Sequence, residues 1–160
     1  MMDMLVKLYE LENDWRFLEE QEKIGITIRK PIGPEKHLIL DWVRGQFFDA
    51  WASETDIAIS NSPKTCFVAI KESQLAGFAC YDATALGYFG PLGVAESNRG
   101  IGTGVALLRA CLLDMKLKGY GYTIIPTDHI DFYRNAVGAV LIPDSSPGIY
   151  KTWLTRDQEE

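Results

Sequence analysis

Ala95-Glu96-Ser97-Asn98-Arg99-Gly100-Ile101-Gly102-Thr103-Gly104 joins an apolar run, Tyr88 to Val94, to a stretch with helical periodicity. Strand, glycine-rich turn and helix start, in that order, make an anion site. The free N–H groups of a first helical turn point outward, and the helix dipole favours negative charge. Glycines, lacking Cβ, let a phosphate come within hydrogen-bonding distance of those amides. Arg99 adds a full positive charge at the rim. The phosphate-loop pattern G-x-x-x-x-G-K-[ST] is absent, because no lysine follows these glycines. The dinucleotide fingerprint G-x-G-x-x-G also fails: counted from Gly100 its last position is Val105, and from Gly102 it is Leu107. What stands here is R-x-x-G-x-G, at Arg99, Gly102 and Gly104.

Outward from the loop, eight of the 14 glycines fall between Gly87 and Gly121, so the backbone there must turn sharply or approach something closely. After the loop, Val105, Leu108, Leu112 and Met115 line one face of a helix from about Gly102 to Lys118, with Arg109 and Lys116 on another face and Gly119 ending it. Tyr122 to Ile125 reads as a core strand. Asp128, with Asp131 three residues on, reads as the cap of a short helix through Val137, and His129 as a surface residue. Ala139 to Ile142 and Gly148 to Leu154 read as closing strands, with Ser145-Ser146-Pro147-Gly148-Ile149-Tyr150 a turn entering the second.

Before the loop, Cys66 to Ile70 and Leu75 to Tyr81 are apolar runs separated by Lys71-Glu72-Ser73-Gln74, a hairpin with a four-residue polar turn. Tyr88 to Val94 is a strand with Pro91 in its interior, and proline cannot donate to a ladder, so a bulge or parting is expected there. Earlier still, Gly33-Pro34-Glu35 opens a helix. Ile39, Trp42, Val43, Phe47 and Ala50 mark its buried face. Gly45 is the point where it would split, the second helix running through Trp51 towards Ile59. Ile24 to Arg29 is a first short strand. Helices, antiparallel strands, then strand–helix–strand describe an α/β layered domain.

The 160 residues suit a single domain, 1–160, with one core. Apolar residues make up 47% and charged residues 24%, which is too apolar for disorder, and no run of about 18 apolar residues exists to span a bilayer. The start, Met1 to Lys7, soon meets Glu10, Glu12 and Asp14, so no signal-peptide apolar region is read there. Sixteen basic against 22 acidic residues give a formal charge of −6, with no clustered basic face for nucleic acid. We expect a cytoplasmic chain with neither nucleic-acid nor membrane partners. Cys66, Cys80 and Cys111 lie in apolar stretches without a C-x-x-C pair and read as small buried hydrophobes. His37 and His129 are far apart, and no metal site is expected.

Arg99-Gly100-Ile101-Gly102-Thr103-Gly104 resembles the coenzyme A pyrophosphate loop of the GNAT (GCN5-related) N-acetyltransferases. Phe132-Tyr133-Arg134-Asn135-Ala136-Val137-Gly138-Ala139 resembles their second signature, and the spacing between the two fits. The resemblance covers roughly residues 26–155. It implies a mixed, mostly antiparallel sheet splayed near its middle, with helices on both faces, Pro91 lying where the splay admits pantetheine. It also implies acetyl-CoA as cosubstrate. The Leu92-Gly93-Val94 backbone would pair with the pantetheine arm. Arg99, Gly100, Ile101, Gly102, Thr103 and Gly104 would hold the pyrophosphate. Tyr133 would sit near the thioester sulfur as general acid. A homodimer is common in such proteins.

The chemistry this implies is acetyl transfer to the primary amine of a small molecule. The amine must be neutral, the carbonyl polarised and the thiolate protonated. A lysine-like amine of pKa ~10.4 is only about one part in a thousand neutral at pH 7, so a base is useful. A backbone N–H near Val94 could polarise the carbonyl, and Tyr133 could supply the leaving-group proton. Relatives often use a glutamate on the central strands, but Tyr88-Phe89-Gly90-Pro91-Leu92 has no carboxylate. By charge, Glu54, Asp56 and Asp82 are the candidates. Pro126-Thr127-Asp128 also stands where many relatives carry an asparagine that contacts the cofactor. Trp42 and Trp51 fall on the half that builds the acceptor side; both read as core packing, with a lining role open to Trp51. The alternatives are a non-catalytic acyl-CoA-binding or sensor module, or a protein N-acetyltransferase on the same fold.

Overall fold

In the computed structural model, residues 1–155 are described. They form seven strands and five α-helices: β1 Met2–Lys7, α1 Arg16–Lys23, β2 Ile26–Arg29, α2 Lys36–Gln46, α3 Asp49–Ser60, β3 Cys66–Lys71, β4 Gln74–Tyr81, β5 Phe89–Val94, α4 Thr103–Leu117, β6 Tyr122–Thr127, α5 Ile130–Val137 and β7 Val140–Leu141. The strands make two sheets, ordered β2-β3-β4-β5 and β6-β1-β7, antiparallel within each. A parallel bridge between Tyr88 and Ile124 ties the sheets together. Gly87 strengthens this corner, its carbonyl accepting from Ile124 N–H (3.0 Å) and from Thr123 Oγ1 (2.9 Å). Beyond it β5 and β6 diverge, which is the expected splay.

Both faces of the first sheet are covered. Along β3, Phe67 and Ala69 turn towards α4, whereas Cys66 and Val68 turn towards α2 and α3. Burial on both faces explains why β3 and β4 read as continuous apolar runs rather than alternating ones. The α4 helix is buried over most of its circumference, with Leu107, Leu108 and Leu112 fully enclosed. Each such side chain contributes about 1.5–3 kcal/mol through burial. Cys66, Cys80 and Cys111 are free and buried, as small hydrophobes.

The register of β4 against β5 slips between Ala79 and Tyr81, so Ala79 faces Leu92 but Tyr81 faces Phe89. Gly90 and Pro91 fall in that slip, the irregularity expected of a strand proline. Pro34 sits in a 3-10 turn, Gly33–Glu35, immediately before α2. Glu35 fastens this start. It accepts Ile32 N–H at 2.8 Å and takes a two-pronged bond from Arg29 at 2.9 and 2.6 Å.

Several expectations are corrected. The helical half breaks at Phe47 and Phe48, whose backbones leave the helical region, and α2 runs through Gly45. Ala50 is exposed, because the new helix starts a fresh face. The hairpin turn is only Glu72-Ser73. Both residues have positive φ (50° and 62°), as a tight two-residue turn requires, and this lets Lys71 pair with Gln74. Gly148–Thr152 is a 3-10 helix rather than a strand, and the last strand shrinks to Val140–Leu141. The reason is β1. It lies between β6 and β7 and fills the slot the closing strand was expected to take, with Met4 facing both Ile125 and Leu141. The core therefore reaches back past residue 26 to Met4, Val6 and Leu8, all buried. Asp128 caps nothing. His129 precedes α5 and gives its N–H to Thr127 Oγ1 at 2.8 Å, while Asp128 Oδ1 lies 3.0 Å from the Met1 nitrogen.

Candidate active site

The diverging strands open into two adjoining cavities. The first, about 620 Å³, is walled by Leu92, Gly93 and Val94 of β5, by Asn98, Arg99 and Gly100, and by the start of α4 from Gly102 to Val105. Eight of the nine residues expected to hold the cofactor therefore come together here: Leu92, Gly93, Val94, Arg99, Gly100, Gly102, Thr103 and Gly104. Ile101 does not. It is exposed and lines a separate depression between α1 and α4.

The loop's conformation follows from its glycines. Gly100 and Gly102 both have φ +83°, which a residue with Cβ adopts only with strain. A Cβ on Gly100 would meet nothing, so the space over it is open to a ligand. Gly93 is glycine for another reason: a Cβ there would sit 2.6 Å from the Phe47 ring. Ala95 N–H bonds to Ala76 on β4 at 2.8 Å. Successive strand residues face opposite edges, so the main-chain groups of Val94 face the open side. Arg99 uses that edge, donating Nε to Val94 O at 3.0 Å. The arginine is thereby folded back along the cavity wall.

Gln21, a residue the sequence reading passed over, holds the loop from outside. It is buried in α1, donates Nε2 to Ile101 O at 3.0 Å and accepts from Thr103 Oγ1 at 2.7 Å.

The second cavity, about 490 Å³, lies on the far side of the splay. Phe48, Trp51, Glu54, Thr84, Phe89, Ile125, Thr127, Asp128 and Tyr150 are among its walls. Trp51, Leu92, His129 and Tyr133 line both cavities. Tyr133 is 8% exposed, and its hydroxyl makes no hydrogen bond among the described residues. Burial, assisted by the Cys111 thiol, pushes its ionisation up, so the phenol keeps its proton at neutral pH. His129 is exposed as expected, but stands at the junction.

Of the three carboxylates singled out by charge, only Glu54 reaches a cavity. Asp56 lies on the surface, paired with Lys36 at 2.7 Å. Asp82 is turned into the corner below the splay, where it accepts Gly87 N–H at 2.7 Å and the Tyr120 hydroxyl. Trp42 packs on Phe47 and Phe78, a core role, whereas Trp51 packs on the same rings and also lines both cavities. Tyr150, from the 3-10 helix after the Ser145 turn, lines the second cavity.

A doubly covered, splayed sheet with a glycine-rich helix start at the splay is the architecture that the resemblance implied. Residues 36–138 match the Acetyltransferase (GNAT) family, and the chain belongs to that family. No curated protein matches the chain. Among solved structures, it is similar to a GCN5-related glucosamine N-acetyltransferase region of a fungal multi-domain GH3 beta-N-acetylglucosaminidase. That likeness has a TM-score of 0.72 and 14% identity, over 88% of this chain and 19% of the other. A GCN5-related N-acetyltransferase from Sphaerobacter thermophilus aligns with a TM-score of 0.67 and 21% identity, over 88% of this chain and 48% of that one. A GNAT acetyltransferase from Brucella melitensis, in complex with acetyl-CoA, aligns with a TM-score of 0.55 and 19% identity, over 69% of this chain and 80% of that one. The chain thus spans about a fifth and about half of the first two structures.

Proposed function

We propose that the protein transfers an acetyl group from acetyl-CoA to the primary amine of a small molecule. The division of charge across Tyr133 carries this reading. The loop cavity has Arg99 and no carboxylate, which suits a pyrophosphate. The second cavity has Asp128 paired with the Met1 ammonium, Glu54 with no ion-pair partner and, among the described residues, neither lysine nor arginine, a net negative lining that suits a cationic amine. Between them stands a buried phenol whose proton is uncommitted.

In this reading the amides of Gly102, Thr103 and Gly104 hold the pyrophosphate, helped by the α4 dipole. The Val94 N–H faces the edge where a thioester carbonyl would need polarising. The coenzyme supplies the activated acetyl group. Tyr133 keeps the proton that the leaving sulfur requires. The protein is read as acting inside the cytoplasm on a diffusible amine.

The test is isothermal titration with acetyl-CoA and CoA, followed by free-thiol release against amines, amino sugars, alcohols and lysine peptides. Small amines are expected to be turned over preferentially. Preference for alcohols, or for lysine peptides over every small amine, would overturn the reading.

A further inference from the structure

Glu54 is a carboxylate with no ion-pair partner among the described residues. It projects from α3 into the second cavity, and Thr84 donates its hydroxyl to Oε2. Oε1 has no hydrogen-bond or ion-pair partner among the described residues. The other carboxylate there, Asp128, is 72% exposed and lies against the Met1 nitrogen. Around Glu54 the walls are aromatic: Phe48, Trp51, Phe89 and Tyr150. A carboxylate desolvated in such surroundings costs free energy unless a cation joins it. Among the described residues no cation pairs with Glu54: the ammonium that lines the cavity, Met1's, lies against Asp128, so Glu54 is left open to a ligand's positive charge.

We propose that Glu54 receives the acceptor's ammonium group and takes its proton, and that the acceptor's amine is carried on a ring-shaped body lying against Trp51, Phe48 and Phe89. This rests on the acetyl-transfer reading above and adds the base and the shape of the acceptor to it. Aromatic walls favour flat or ring-shaped bodies, whose faces stack, over flexible chains, which lose more conformational entropy on binding. An ammonium beside such rings also gains cation–π attraction.

The groups facing Glu54 are compatible with this role. Tyr150 is held protonated by burial first and then by the Glu54 charge. Cys80, beneath it, is held as a thiol by burial and bonds to Thr55. Asp128, His129 and Tyr133 share the cavity, and the Met1 nitrogen lies against Asp128. Burial raises the Glu54 carboxyl above its ordinary range, outweighing the Thr84 bond, and so makes it a stronger base than a surface glutamate.

The step balances as follows. Glu54 takes one proton from the ammonium, leaving a lone pair on nitrogen. That nitrogen bonds to the acetyl carbon as the carbon–sulfur bond breaks. The Tyr133 proton goes to sulfur, and the second nitrogen proton restores the phenol, directly or through water. Glu54 then releases its proton to solvent. Ammonium and thioester have become amide, thiol and one proton.

The experiment measures kcat/KM from pH 5.5 to 9.5 with phenethylamine, glucosamine and butylamine, for the wild type, Glu54→Gln and Glu54→Ala. Acetyl-CoA binding to each variant serves as the folding control. The expected result is a loss of ~10²–10⁴-fold in Glu54→Gln, with the acid limb set by Glu54 replaced by a rise that follows the amine's own ionisation. Formate should restore part of the Glu54→Ala rate. A folded Glu54→Gln with wild-type turnover and an unchanged pH limb overturns the base while leaving the proposed function standing. Butylamine preferred over both ring amines overturns the shape of the acceptor. A wild type that binds acetyl-CoA but acetylates no amine overturns the function, and this role with it.

Discussion

Thr103, at the first turn of α4, donates its hydroxyl to Oε1 of Gln21, 82 residues earlier, at 2.7 Å. The same amide group donates to the Ile101 carbonyl at 3.0 Å. One side chain thus occupies both polar groups that would otherwise compete for the loop's own amides. The loop is organised before any ligand arrives, which lowers the ordering cost of binding.

Gln21→Leu keeps the bulk and removes both bonds, leaving two poorly satisfied polar groups at a cost of ~1–3 kcal/mol. Part of that cost should appear as weaker acetyl-CoA binding, about tenfold, with kcat at saturating acetyl-CoA close to wild type. Titration calorimetry and steady-state kinetics on the same preparation separate the two effects. Unchanged affinity in a folded variant would show that the loop holds its shape without Gln21.

Gly102→Val forces a branched side chain to φ +83° and directs its Cβ towards Gln21 Nε2, 3.5 Å away, so it disturbs both the loop's backbone and its anchor. Coenzyme A binding should be lost, with some loss of thermal stability from the strained backbone. Arg99→Ala should cost less, since the amides remain. Calorimetry with CoA, run beside circular dichroism, checks both; a folded Gly102→Val that binds CoA as well as wild type would refute the cradle.

Tyr133→Phe removes one hydroxyl and keeps the ring packed on Phe89 and Phe132. Turnover should fall ~10²–10⁴-fold with little change in acetyl-CoA affinity. If turnover holds while chemistry is rate-limiting, the proton comes from water or from the acceptor.

The glycine loop was legible in the sequence because its glycines answer local demands, positive φ and close approach, whereas Phe132-Tyr133 was legible only through its resemblance to the GNAT signature. The sheet's centre was not legible. In Met2 to Lys7, Met4 and Val6 are buried as an alternating strand would have them, but Leu5, between them and also apolar, blurs the period of two. Gln21 stayed hidden because α1, Arg16–Lys23, is mostly charged, and nothing local says that a glutamine there will be buried against a loop 80 residues away. Glu54 was one of three acids indistinguishable by charge. Only the fold separates it from Asp56, paired at the surface, and Asp82, turned into the corner.

Acid should weaken the fold partly through Glu35. Its bonds with Arg29 hold its pKa down to about 2, against about 4.3 in an unfolded chain. A depressed folded-state pKa contributes stability above about pH 4.3, lost as pH falls towards 2. Glu35→Gln should lower the melting temperature at pH 7 and flatten its decline between pH 5 and 2. Asp14, held to about 2 by Arg16, contributes in the same sense, so some decline should remain. Thermal melts at several pH values decide it, and parallel curves for the two proteins would remove Glu35 from the account.

The placement of β1 sets an order on assembly. Its partners in the sheet, Tyr122–Thr127 and Val140–Leu141, leave the ribosome more than a hundred residues after it. Closing so long a loop is slow compared with pairing neighbouring strands. The β3–β4 hairpin and α4, close in sequence, can consolidate the glycine-loop side while Met2–Lys7 still waits for its neighbours. The wall contributed by Ile125 and Thr127 is completed only when that strand is captured. The two cavities thus differ in sequence range: the glycine-loop side rests on elements close together in the chain, and the wall with Ile125 and Thr127 on a pairing that spans more than a hundred residues.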